Sequence, residues 1–82
     1  MNGHILYVLR ISCGLSQADV ARLSGYTASY ISKLENGRAI MDGKTAQRLR
    51  SVFTQIDDAQ IRVIVAVHDS IKPVGMAIQA TV

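Results

Sequence analysis

A chain of 82 residues has room for one small core and not for two. A hydrophobic fraction of 49% excludes a disordered chain and calls for a folded core or a buried subunit interface. The formal charge of +3 is unevenly spread: residues 28–50 hold five basic side chains against two acidic, and residues 51–82 hold two against three. A phosphate-binding face would need its basic excess gathered in this way, although an ordinary solvated surface can carry the same charge. The single cysteine, Cys13, rules out an internal disulfide and fits a reducing compartment. The N-terminus has no charged region followed by an apolar run and a small-residue cleavage site, and no uncharged apolar run reaches the ~18 residues of a membrane span. A cytoplasmic protein is expected.

Residues 4–13 read as a first helix, with Ile5, Leu6, Leu9 and Cys13 available to the core, Gly14 as its stop and Leu15 folding back. Cys13 is expected to be a buried, inert thiol. Ser16 is a good N-cap for a second helix, and Asp19 three residues later completes a capping box in which Asp replaces the usual Glu or Gln. Val20, Ala21 and Leu23 give this helix an apolar side, and Gly25 ends it where a left-handed backbone is needed. Thr27 caps a third helix whose inward positions are Ile31 and Leu34, and Asn36-Gly37 stops it.

Ala21, Gly25 and Ile31 have the spacing of a helix-turn-helix: a small residue at the crossing, a glycine at the turn, a branched apolar plug between the helices. With Ile31 and Leu34 inward, Ala28, Ser29, Ser32, Lys33 and Asn36 form the opposite stripe. That stripe is small, polar and cationic, which suits a helix entering a major groove. Lys33 is its one long cation and the best candidate for a base or phosphate contact. Ser29 and Ser32 can donate or accept, so they specify no particular base. Ala28 either meets a thymine methyl or only permits close approach, and Tyr30 either reaches a phosphate or covers the core edge.

Asp42 reads as the N-cap of a fourth helix with Thr45 at its third position, and Ala46, Leu49, Val52 and Phe53 face inward. The amides near Gly43, with Lys44, offer a second phosphate site. Asp57 or Asp58 caps a fifth helix to about Ile71, with Ile61, Ile64, Val65, His68 and Ile71 at helical spacing. The β-branched run 61–67 favours a strand, but length and cap favour the helix. Pro73 is expected to end it. Beyond it, residues 74–82 alternate in a strand pattern that pairs with a second subunit or frays.

The run Gly14-Leu15-Ser16-Gln17, Ala21, Gly25, Thr27, Ile31, Ser32 and Leu34-Glu35-Asn36-Gly37-Arg38 resembles the phage repressor and Cro-type (XRE) helix-turn-helix proteins, more weakly from about Ile5 to Phe53. The resemblance implies a mainly all-α, four- to five-helix repressor-like domain over residues 1–56; it does not cover the last 26 or so residues, and residues 57–82 are read from their own pattern as a C-terminal helix and possible short strand, a dimerisation segment. It implies that Gln17 at the start of the second helix contacts the DNA backbone, where unsatisfied amides also favour a phosphate, and that Asn36 and Arg38 lie against phosphates. It also implies that Arg10 pairs with Glu35, a structural tie. Cys13 stands where the family has an apolar residue, and Arg50 replaces a small or apolar one, which questions the packing beside the fourth helix.

No catalytic constellation is evident: His68 and Asp69 are neighbours, which on a helix do not face each other. His4, Cys13 and His68 have no zinc-motif spacing. No enzyme activity, cofactor, metal or membrane association is expected. The expected function is a sequence-specific transcriptional regulator, a repressor of phage or mobile-element type. It would bind a pseudo-palindromic double-stranded operator as a homodimer through Gln17, Thr27, Ala28, Ser29, Tyr30, Ser32, Lys33, Asn36, Arg38 and Lys44. The alternative is an adaptor or antitoxin-like protein that binds a partner through residues 61–82.

Overall fold

Each helix begins where a side chain satisfies its first free amides. In the computed structural model, which describes the backbone of residues 1–81 and the side chains of residues 1–71, α1 spans Gly3–Ser12, α2 Gln17–Ser24, α3 Ala28–Glu35, α4 Gly43–Arg50 and α5 Asp58–Thr81, with a 3-10 turn at Ser51–Phe53. Asn2 caps α1 by accepting from the Ile5 amide at 2.9 Å. Ser16 and Asp19 form the reciprocal box of α2 at 3.0 and 2.9 Å. Thr27 caps α3 at 3.1 Å and Asp42 caps α4 at 2.8 Å. Asp57, with Gln60 answering, starts α5 at 2.7 and 2.9 Å.

Those hydrogen bonds hold the Asp19 and Asp42 carboxyls below their ordinary pKa of 3.8, the backbone bonds from Ser16 and Thr45 being the main causes. A depressed carboxylate contributes stability above its unfolded pKa and loses it as pH falls through the folded one. Stability should therefore decline below about pH 4. Asp42→Asn, which caps without titrating, should reduce that decline in acid-denaturation curves.

The core joins Leu6 and Leu9 of α1, Val20 and Ala21 of α2, Ile31 and Leu34 of α3, Leu49 of α4, Phe53, and Ile61 of α5. Helix α3 packs on α2 and α1, while α5 packs on α1. Gly3 makes the contact between α1 and α3 possible. A Cβ there would stand 2.1 Å from the Leu34 carbonyl oxygen, so the start of α1 lies directly against the end of α3. Gly3→Ala should destabilise by about 1–3 kcal/mol, as overpacking against unyielding backbone does, measurable by urea denaturation.

Several expectations are corrected. Cys13 is exposed rather than buried: α1 stops at Ser12, the chain turns through Cys13 and Gly14, and Leu15 packs against the core instead. Leu23 is 53% exposed, and Val8, absent from the expected core, is fully buried. The residues from Ile61 to Ile71 are helical as expected, because the Asp57 cap and burial of Ile61 against the core outweigh β-branched propensity. Pro73 does not end α5, and no strand forms among the described residues; Val82 lies outside them. A lone terminal strand has no ladder partner within the chain, whereas a helix satisfies its own amides. The alternation over 74–82 also defines no face, because small or apolar Gly75 and Ala77 occupy its intervening positions.

Arg50 does not disturb the packing. It donates at 2.7 Å to the Phe53 carbonyl, also to that of Ile56, and reaches Asp58 at 3.4 Å, so it staples the turn between α4 and α5.

Candidate nucleic-acid interface

Helix α3 divides along its length. Ile31 and Leu34 are buried; Ala28, Ser29, Lys33 and Asn36 are exposed, with Ser32 and Tyr30 half-buried at the borders. Helical period alone separates these faces, and contact with α1 and α2 decides which one looks inward. Asn36 donates to the Ser32 hydroxyl at 3.3 Å, which joins the two polar positions at the end of the exposed stripe.

The inner end of α3 is held by charge. The Glu35 carboxylate, only 4% exposed, accepts from Arg10 Nε at 2.7 Å and Nη2 at 3.0 Å, and from Gln17 Nε2 at 3.2 Å. Arg10 also donates to the Leu15 carbonyl at 2.9 Å. One carboxylate thus ties α1, the start of α2 and the end of α3. Its bonds to Arg10 hold that guanidinium above its ordinary pKa. Gln17 is half-buried at the first position of α2, held by Glu35 through one N–H and left with a second to donate.

The cations of α3, α4 and the loop between them differ in availability. Lys33, Arg38 and Lys44 are exposed and make no ion pair among the described residues. Lys44 lies beside the Asp42 cap of α4, and Thr27 marks the start of α3. Arg48, by contrast, is committed to structure, a role not evident in the sequence. It donates to the Ser24 carbonyl at 2.6 Å and lies 4.8 Å over the Tyr26 ring, which meets Tyr30 edge-on at 5.0 Å. This stack closes the turn between α2 and α3. Gly25, at φ +82°, serves it twice: the left-handed backbone reverses the chain, and a Cβ would stand 2.6 Å from Arg48 Nη2. Arg48 lies 24 residues from Ser24, so no local pattern could signal it.

Away from this face, His68 and Asp69 do meet despite being helical neighbours: His68 Nδ1 lies 3.2 Å from Asp69 Oδ1, and His4 Nε2 of α1 lies 2.9 Å from the same oxygen. No described helix is long and apolar enough to cross a membrane.

The family model described as Helix-turn-helix (HTH_3) matches residues 6–54, from the first buried leucine of α1 to Thr54, just past the 3-10 turn. Comparisons with curated proteins and with solved structures returned no match. The matched span covers more than half of the chain and includes the whole of α2, the Gly25 turn and α3. The chain therefore belongs to the XRE/Cro-type helix-turn-helix family of DNA-binding transcription regulators.

Proposed function

We propose that this protein is a sequence-specific repressor of phage or mobile-element type, bound as a homodimer to a pseudo-palindromic operator with α3 in the major groove. The observation that carries this reading is the exposed face of α3, small and polar, with Lys33 on it, and with Arg38 just after α3 and Lys44 in the first turn of α4 exposed and without an ion pair among the described residues. Lys33 would bond a base edge, with Ser29 and Ser32 adjusting to their neighbours and Ala28 allowing close approach. Gln17, Thr27, Asn36, Arg38 and Lys44 would fix register on phosphates, helped by the free amides at the starts of α2 and α4. Tyr30, supported by the Tyr26–Arg48 stack, would turn its hydroxyl toward the backbone.

Val63, Val67 and Ile71 support dimerisation. They recur every four residues along α5, stay 49–62% exposed, and border a groove of about 390 Å³ that also meets Ser12, Ile64 and His68. A two-fold pair of α3 helices predicts half-sites about one helical turn, ~34 Å, apart. Selection of bound fragments from a random duplex pool should return symmetric sites. Lys33→Ala should cost about 1–3 kcal/mol of operator affinity and relax specificity at one position. Arg38→Ala should weaken all sequences alike and lower the salt slope by about one. If no duplex were enriched at low salt, the exposed face of α5 would make a partner-binding adaptor the better reading.

A further inference from the structure

We propose that His4, His68 and Asp69 form a binding site for a divalent first-row transition metal such as Zn²⁺, linking the start of α1 to α5. The inference stands apart from the DNA-binding reading, because none of these residues lies on α2, α3 or α4. Two imidazoles and a carboxylate are a borderline-hard donor set that suits Zn²⁺, Co²⁺ or Ni²⁺.

The geometry is close to what such an ion needs. Tetrahedral bonds of about 2.0–2.2 Å place ligand atoms roughly 3.3–3.5 Å apart. Here Asp69 Oδ1 stands 2.9 Å from His4 Nε2 and 3.2 Å from His68 Nδ1, and all three donor atoms lie within 4.8 Å of one another. To receive the ion, the two imidazole nitrogens have to close and the contacts to Asp69 Oδ1 to widen by a few tenths of an ångström. The His4 side chain is 50% exposed and can swing to do so, while His68, 27% exposed, is braced edge-on by Tyr7 at 6.1 Å. The exposed side of the site leaves room for water or a further ligand at the remaining position.

The residues to be bridged are 65 positions apart in sequence, and the unfolded chain does not hold them together. A metal bound here favours the folded state and specifically the docking of α5 on α1. It would also brace α1 one residue from Gly3, where that helix abuts the end of α3.

The test uses the full chain carrying Cys13→Ser, which removes an exposed thiol as a competing ligand. Co²⁺ titration should give a saturable visible d–d band at one equivalent per chain, displaced by Zn²⁺. Zn²⁺ should raise Tm. His4→Ala and Asp69→Asn alter half-exposed side chains and should retain the helical circular dichroism. Each should raise the Co²⁺ Kd by about tenfold or more and shrink the Zn²⁺-induced Tm shift. Absence of a saturable band, or binding unaffected by both substitutions, would overturn the proposal.

Discussion

Glu35→Ala should lower stability by about 3–5 kcal/mol, the largest effect expected of any single polar substitution here. The reason is burial. Arg10 and Glu35 side chains are 12% and 4% exposed, and truncating the carboxylate leaves the guanidinium without a counter-ion among the described residues, held by the Leu15 carbonyl and the Tyr7 ring 5.5 Å away. The Gln17 amide loses its anchor in the same step. A domain of this size shifts by about 4–8 °C per kcal/mol, so the thermal midpoint should fall by roughly 12–40 °C. Removing both charges avoids the unpaired ion, and Arg10→Met with Glu35→Leu should recover most of the loss. Urea and thermal denaturation followed by circular dichroism give both numbers. A single-substitution cost below about 1 kcal/mol would place the pair among exposed, weakly contributing bridges and refute this account of how α3 is held.

Ile31→Ala should cost about 2–5 kcal/mol, and Ile31→Val only about 0.5–1.5 kcal/mol. Ile31 is fully buried beneath the face proposed to meet DNA, in the core cluster that also holds Leu9, Val20, Ala21 and Leu34. Its truncation opens a cavity under α3 whose cost depends on how far α1 and α2 collapse into it. The contrast with Lys33→Ala separates folding from recognition. Lys33 is exposed and makes no ion pair among the described residues, so its removal should change stability by no more than about 0.5 kcal/mol while weakening operator binding. Ile31→Ala should do the reverse at temperatures where the variant stays folded. Equal losses of stability in the two variants would mean that the faces of α3 have been assigned wrongly.

What the sequence determined by itself was local. Caps at Ser16, Thr27 and Asp42, the stop at Gly25 and the inward pair Ile31 and Leu34 depend on contacts within a few residues, and all appear in the structure. The family motif extended that reach to one long-range pair, Arg10 with Glu35, now seen as a bidentate contact. Tertiary structure alone decided the rest. Arg48 closing the turn, Gly3 against Leu34 and His4 against Asp69 join positions 24 to 65 residues apart, which no helical period encodes. Cys13 and the segment past Pro73 show the same boundary from the other side. Residue type suggested a buried thiol and a strand. The end of α1 at Ser12 and the lack of a strand partner among the described residues decided otherwise, because burial and pairing depend on what the rest of the fold brings alongside.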